Sequence, residues 1–177
     1  MREVSYTVFA FDELSDAAKA RAVDSYRARG VEWFWQSEWW NSAQEFSKIA
    51  PVDIQEADYD RRHVNALWLG DLDVGNLAGS RAWKWLQNNG WFDLARANIR
   101  GDCTLTGYCG DCPLFDPIAA YEKTPLQIPT LRQVFYECAQ SWVNAAADDL
   151  EWHYSDECIA DHLHANEYEF LEAGEMY

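Results

Sequence analysis

The segment from Gln133 to Tyr177 carries carboxylates throughout but contains no Lys or Arg. Each helix or strand formed here is therefore expected to display its acids to solvent and to keep its other face for a core. A one-sided surface of this kind projects a negative field over about a Debye length, which repels nucleic acid and membrane headgroups and attracts basic protein surfaces. The acids of the segment are Glu137, Asp148, Asp149, Glu151, Asp156, Glu157, Asp161, Glu167, Glu169, Glu172 and Glu175.

The rest of the composition is that of a folded protein and not of a disordered acidic tail. Hydrophobic residues make up 49% of the 177 residues and aromatic residues 15%, although the formal net charge is −16. At this length a chain buries roughly 70% of its extended surface, so a real core is available. Because no repeat, low-complexity tract or long linker divides the chain, residues 1–177 are predicted to form a single acidic globular domain.

Capping residues and apolar spacing predict several amphipathic helices. Ser15 is expected to cap the first, with Gly30 as its stop, and Pro51 to end the second. Ser155 is expected to cap the last, which carries two acids in its first turn. The predicted helices cover about residues 16–29, 37–50, 80–88 and 130–149, a short one near 118–121, and one that follows Ser155.

Alternating residues predict strands around these helices. A strand is expected from Val4 to Phe11, a hairpin from residues 52–59 and 64–68, and a last strand at Tyr168–Phe170 that pairs with the first. Residues 70–79 are predicted to be loop, and residues 101–129 to be compact but largely irregular. The fold class that follows is α+β, with amphipathic helices packed on a small antiparallel sheet.

The cysteines raise the question of a metal site. Cys103, Cys109 and Cys112 have a C-x5-C-x2-C spacing, which supplies three of the four soft ligands of tetrahedral zinc. Cys138, Cys158 or a histidine remain open as the fourth, and ordinary buried thiols in a reducing compartment are the alternative. The prediction is no cofactor and no metal, with zinc at these cysteines kept open.

No motif identifies a reaction. The chain has no G-x-S-x-G, no H-E-x-x-H and no phosphate-binding glycine loop before a helix. His162 and His164 are two residues apart, so they point to different sides of a helix and do not converge on a metal. The protein is predicted not to be an enzyme, and a metal-dependent hydrolase using the Cys and His residues is the more distant alternative.

A cluster of rings is the second notable feature of the chain. Trp33, Phe34, Trp35, Trp39 and Trp40 lie within eight positions, and Trp is enriched at interface hot spots. Five rings so close in sequence cannot all face one way, so about half are expected in the core. Trp39 and Trp40 are selected as candidate partner contacts.

Three stretches carry a resemblance to a known group of proteins. They are Phe11-Asp12-Glu13-Leu14-Ser15-Asp16-Ala17-Ala18-Lys19, Cys103-Thr104-Leu105-Thr106-Gly107-Tyr108-Cys109 and Asn166-Glu167-Tyr168-Glu169-Phe170. Together they resemble small phage and prophage proteins, a group that brings no established catalytic residues. The resemblance implies a setting in which accessory proteins inhibit host defence, as anti-CRISPR and antirestriction proteins do.

The functional expectation is a phage-encoded inhibitor of a host DNA-targeting defence complex, acting in the host cytoplasm. Its acidic face would occupy a basic nucleic-acid groove as a DNA mimic or a steric block, without binding nucleic acid or membrane itself. A phage interaction or regulatory protein that binds another partner or itself is the alternative. The candidate contact acids, expected to stand outward and unpaired, are Asp148, Asp149, Glu151, Asp156, Glu157, Asp161, Glu167 and Glu169.

Overall fold

The computed structural model describes residues 5–177, so Val4 of the predicted first strand lies outside the described residues. Helices dominate, and two small antiparallel sheets accompany them, which confirms the predicted α+β class. The chain divides into two compact units, residues 1–33 with 149–177 and residues 34–148. The expectation of one globular domain stays a prediction.

Most element bounds follow the sequence expectations, but the first strand is much shorter than predicted, because residues 5–8 are not in a strand and Phe11 begins a 3₁₀ helix. The strands are β1 (Phe9–Ala10), β2 (Val52–Asp58), β3 (His63–Trp68) and β4 (Glu169–Phe170). The helices are α1 (Asp16–Ala28), α2 (Gln36–Ile49), α3 (Leu72–Gly75), α4 (Gly79–Asn88), α5 (Trp91–Ile99), α6 (Asp116–Glu122), α7 (Leu131–His153) and α8 (Asp156–Ala165). Short 3₁₀ helices occupy Phe11–Glu13, Cys109–Leu114 and Pro125–Gln127.

One sequence expectation is corrected by these bounds, and one helix, α5, was not predicted. The stretch 70–79 is not all loop, because Asp71 caps the short helix α3 through its carboxylate, which accepts from the backbone N–H groups of Asp73 and Val74. Helix α5 follows directly after Gly90, whose φ of +76° lets the chain turn there and start a new helix. Helix α5 buries the aromatic pair Trp91 and Phe92 together with Ala95.

In the first unit, α1 and α8 share one apolar core. Ser15 caps α1 by accepting from the Ala18 N–H, and Ser155 caps α8 by accepting from the Cys158 N–H, as predicted. The buried residues of this core are Phe11, Leu14, Ala18, Ala22, Val23, Ile159, Leu163 and Phe170. Because Ile159 and Leu163 are four apart, α8 buries one stripe and exposes the other.

The first and last strands pair as the sequence predicted. In the antiparallel β1–β4 pair, Phe9 lies opposite Phe170 and Ala10 opposite Glu169. The rings of Phe11 and Phe170 lie 5.9 Å apart in the core of this unit. The pairing therefore brings residues 9–13 beside the carboxyl end of the chain.

The carboxyl-terminal tail folds back over α1 within the same unit. The Arg21 Nε donates to the Ala173 carbonyl at 2.7 Å, and Phe170 bridges to Met176. Gly174 makes this possible, because its φ is +88° and a Cβ there would lie 2.2 Å from the Ala18 carbonyl oxygen. Any side chain at this position would displace the tail from α1.

The second unit is built around aromatic side chains. Phe135 of α7 lies 4.8 Å from Trp91, ring centroid to ring centroid, at an interplanar angle of 75°. Phe46 packs edge-on against Phe115 at 5.6 Å. The β2–β3 hairpin covers this core through Ile54 and Val64, both buried, with an irregular register between Ile54 and Glu56. The edge-to-face contacts between these aromatic rings stabilise the core beyond the burial of apolar area.

A fully buried carboxylate organises the irregular segment between α5 and α6. Asp111 accepts from the backbone N–H groups of Leu105 and Thr106 and from the Thr106 hydroxyl, each at 2.8 Å. Asn98, also buried, accepts from the Thr104 N–H at 3.1 Å. The segment is thus compact because two buried polar side chains hold its backbone.

Replacing Gly174 with alanine is expected to destabilise the first unit far more than the same change at Gly30. Both glycines have φ near +90°, but only Gly174 faces a backbone atom, since a Cβ at Gly30 meets nothing within 4 Å. Left-handed strain alone costs about 1 kcal/mol, and the clash adds about 1–3 kcal/mol for Gly174→Ala. Urea unfolding midpoints measure both; equal losses for the two variants would contradict the close approach to Ala18.

Asp111→Ala is expected to lower the free energy of unfolding by about 3 kcal/mol, because three donors lose their acceptor inside the protein. The matched control is Asp102→Ala in the same segment, whose exposed carboxylate pairs with Arg100 at 3.2 Å. That change is expected to stay within about 0.5 kcal/mol. Chemical denaturation of both variants tests the role of the buried carboxylate, and a small loss for Asp111→Ala speaks against it.

Candidate functional site

The negative charge is concentrated in the first unit. Residues 1–33 and 149–177 hold fifteen Asp and Glu against five Lys and Arg, a net charge of −10. The longer second unit, residues 34–148, holds fifteen acids against nine bases, a net charge of −6. The smaller unit is therefore the more acidic surface and the place to seek a cationic partner.

The described basic residues of the first unit are held in internal contacts. Arg21 donates to the Ala173 carbonyl, and Arg29 donates to the Met176 sulfur at 3.2 Å. Arg27 pairs with Asp24 and Asp156 and donates to the Tyr154 carbonyl. Lys19 lies 5.9 Å from the centre of the Phe11 ring. Each of these four basic side chains therefore contacts another residue of the first unit.

Three of the predicted contact acids turn out to have internal partners. Asp156 pairs with Arg27, and in the second unit Asp148 pairs with Arg62 at 2.7 Å. Asp149 accepts from the Trp33 indole N–H at 2.8 Å. The expectation that all of these acids stand unpaired is therefore corrected, because arginines distant in sequence reach two of them.

The remaining predicted acids stay on the surface. Glu151, Glu157, Asp161, Glu167 and Glu169 are all exposed. Of these, Glu157, Asp161, Glu167 and Glu169 have no ion pair with any residue in the range 5–177. Glu157 and Asp161 are four apart on α8, which places them side by side on its exposed stripe.

This stripe leads into a groove of about 680 Å³ on the first unit. His164, three residues beyond Asp161, lines the groove together with Glu167 and Glu169. The opposite wall comes from β1 and the 3₁₀ helix, where Asp12 lies 3.1 Å from the His164 Nδ1. We define the acidic face as Asp12, Glu157, Asp161, Glu167 and Glu169.

Asp12 was missed as a site residue by sequence reasoning. It lies far from the acidic tail in sequence, and the β1–β4 pairing brings it into the groove. Its neighbour Glu13 also lines the groove and accepts from the Ala10 N–H at 2.9 Å. The predicted pairing of the first and last strands was a signal for this placement, but it was not used to select residues near the first strand as site residues.

The rings predicted as contacts divide between core and surface. Trp39 is corrected, because its side chain is only 5% exposed and belongs to the core of the second unit. Trp40 is half-buried and lies 6.0 Å from the Trp142 ring. The exposed rings of the cluster are Phe34 at 61% and Trp35 at 48%, and Trp35 stacks on Tyr108 at 5.9 Å.

The cysteines do not assemble with other ligands. Among residues 5–177, no group of three or more His, Cys, Asp or Glu side chains is arranged to hold a metal ion. Cys112 donates to the Asn98 carbonyl at 3.1 Å and lies beside Cys103, and Cys109 is exposed. Burial, aided by the neighbouring Cys103, raises the pKa of the Cys112 thiol to about 11. The zinc alternative gains no support from this geometry.

A cysteine and a histidine do meet in the first unit. The Cys158 sulfur lies 3.9 Å from the His153 Nδ1, and the His153 Nε2 lies 3.9 Å from Asp149. Burial, aided by Asp161, Asp149 and Glu157, raises the pKa of the Cys158 thiol. A nucleophilic cysteine needs the opposite shift, so this arrangement does not favour covalent catalysis.

Comparison with known proteins adds no relative. No protein family, no curated protein and no solved structure matches the chain. Within residues 5–177, every helix is too short or too polar to cross a membrane. The resemblance to small phage proteins therefore stays a prediction from the sequence.

The thiol environment gives a direct chemical test. Only the thiolate is alkylated, so a thiol with a pKa near 11 is expected to react about tenfold faster for each pH unit from about 8 to 10. Iodoacetamide labelling of Cys112, followed by peptide mass spectrometry, measures this rate, and labelling of the exposed Cys109 reports reagent stability. A Cys112 rate that levels off below about pH 9 would show that the thiol is not protonated as described.

Proposed function

We propose that this protein is a non-enzymatic, phage-encoded inhibitor whose acidic face binds the basic nucleic-acid groove of a host DNA-targeting defence complex. The observation that carries the proposal is the set of exposed carboxylates Glu157, Asp161, Glu167 and Glu169 on the first unit, which have no ion pair within residues 5–177. Asp12, the fifth acid of the face, lies beside His164. The carboxylates take the place of DNA phosphates toward Lys and Arg of the target. The phage setting rests on the sequence resemblance alone.

The internal arginine contacts support this reading of the surface. Arg27 pairs with Asp24 and Asp156. Glu157, in the same first turn of α8 as Asp156, and Asp161, one turn further on, have no counter-ion within residues 5–177. Neighbouring carboxylates repel one another, and the free energy of that repulsion is recovered when a cationic partner binds. A surface of this kind favours fast association with a basic groove.

Lasting affinity requires apolar contacts as well, because exposed charge pairs contribute only about 0.2–1 kcal/mol each. The first unit exposes Trp152 at 49% and Tyr154 at 41%, between the acids Glu151 and Asp156 in sequence. Such rings bury large areas at low entropic cost and are typical of interface hot spots. The combination of rings and carboxylates suits a protein target better than a small molecule.

The alternative, an interaction or regulatory protein without inhibitory action, has its own observation. Phe34 and Trp35 expose aromatic surface on the second unit, where the acidic face has no part. A contact made by these rings would depend little on salt. Light scattering at several concentrations detects self-association through them.

The inhibitor proposal is tested by plasmid cleavage with an RNA-guided DNA nuclease and with a restriction endonuclease. The protein is expected to slow at least one of them, and raising salt from about 50 to 200 mM or adding competitor DNA is expected to relieve the inhibition. Unchanged cleavage by both enzymes at low salt would contradict the proposal. Inhibition that changes with neither salt nor competitor DNA would indicate that the contact lies outside the acidic face.

A matched pair of variants locates the contact. Glu157→Gln with Asp161→Asn removes two charges from the acidic face and is expected to weaken inhibition about fivefold, which is two exposed charge contacts. The control, Glu56→Gln with Asp60→Asn, removes two exposed charges from the second unit. Equal effects of the two pairs would indicate that net charge alone matters.

A further inference from the structure

The groove of the first unit has an apolar floor between its charged walls. Val8, Phe9 and Tyr168 line it and are partly exposed, whereas Asp12, Glu167 and Glu169 supply the carboxylates. The volume of about 680 Å³ lies in the range of roughly 300–1,000 Å³ that ligand sites occupy. A ligand for this groove must therefore combine an apolar part with positive charge.

The groove is also negative for a reason independent of its side chains. Leu163, His164 and Ala165 bring the carboxyl end of α8 to its wall, and the carboxyl end of a helix carries partial negative charge that favours cations. Of the residues lining the groove, all of them described, His164 alone has a side chain that can carry positive charge, and it lies 3.1 Å from Asp12. Glu167 and Glu169 have no ion pair within residues 5–177. The field of the groove thus selects a cation.

Glu167 is held in this wall at a conformational cost. It directly follows Asn166, the last cap residue of α8, and its φ is +52°. At this position helices favour glycine, because a side chain in the left-handed region is strained. Glycine would adopt this φ without strain, but the residue here is Glu167, and its carboxylate lines the groove.

We infer that this groove binds an arginine-bearing, extended peptide segment of the partner protein. The guanidinium lies between the Asp12 wall and the Glu167 and Glu169 wall, and its aliphatic stem covers Phe9 and Tyr168. Arginine suits the site better than lysine, since its planar fork engages carboxylates in pairs and stacks on rings. The inference rests on the proposed function and adds to it the residue type that is recognised and the place where it enters.

The probe is an acetylated, amidated peptide, Gly-Arg-Leu-Arg-Gly, titrated into the labelled full-length protein and followed by amide chemical shifts. In an extended segment both arginines face the same side, so one peptide presents two guanidinium groups to the groove. Shifts are expected to concentrate at groove residues such as Phe9, Glu167 and Glu169. The matched peptide with citrulline in place of arginine keeps the shape, loses the charge and is expected to bind at least fivefold more weakly.

Two double variants separate the groove from general charge. Glu167→Gln with Glu169→Gln is expected to weaken arginine-peptide binding about fivefold, and Glu172→Gln with Glu175→Gln, which changes net charge equally outside the groove, less than twofold. Equal losses for the two variants, or equal binding of the citrulline peptide, would overturn the inference.

Glu167→Gly provides a readout in which stability and binding move in opposite directions. Relief of the left-handed strain is expected to raise the melting temperature by about 2–4 °C, whereas loss of the carboxylate weakens peptide binding. A variant that is more stable than the wild-type protein and binds the arginine peptide equally tightly would overturn the role given to Glu167. Lower stability together with unchanged binding would do the same.

Failure of the groove and failure of the inhibitor proposal are distinguishable. If the wild-type protein blocks DNA cleavage but both double variants lose equal activity, the groove inference falls and the acidic face stands. If the arginine peptide binds in the groove but neither nuclease is inhibited, the inhibitor proposal falls and the groove stands.

Discussion

The packing of α8 on α1 is the interaction on which the candidate surface depends. Ile159 and Leu163 are buried in one core with Ala18, Ala22 and Val23, so apolar contacts fix which side of α8 faces inward. The ion pair between Arg27 and Asp156 adds a polar contact between α1 and α8. Once that stripe is fixed inward, helical geometry places the acids of α8 outward. Glu157 and Asp161 themselves have no ion pair within residues 5–177 and are exposed.

The molecule uses carboxylates in two physically different ways. Asp111 in the second unit is fully buried and holds three donors of an irregular segment, so its negative charge is satisfied internally. The acids of the acidic face are exposed instead, and Asp12 alone among them has an ion-pair partner within residues 5–177, His164. A buried carboxylate without donors would be costly, so within residues 5–177 the one fully buried acid is Asp111, on which N–H and hydroxyl groups converge.

Much of the local structure could be predicted from the sequence. The caps at Ser15 and Ser155, the β2–β3 hairpin and the pairing of β1 with β4 are all confirmed. The caps and the hairpin have signals of short range, namely a capping side chain or alternation of apolar residues. The β1–β4 pair instead joins strands at opposite ends of the described chain. Helix α5 was not predicted, because its buried residues follow Gly90 without a capping side chain.

The sequence by itself determined that the last part of the chain is acidic without basic residues, and that its helix displays those acids opposite an apolar stripe. The tertiary structure alone decided which acids stay available. Arg27 meets Asp156, and Arg62 meets Asp148, while Asp12 comes to the groove across the β1–β4 pair. It also placed Trp39 in a core and left Phe34 and Trp35 exposed. These contacts join residues far apart in the chain, and their formation depends on strand register and helix rotation in three dimensions, which a local pattern of residues does not encode.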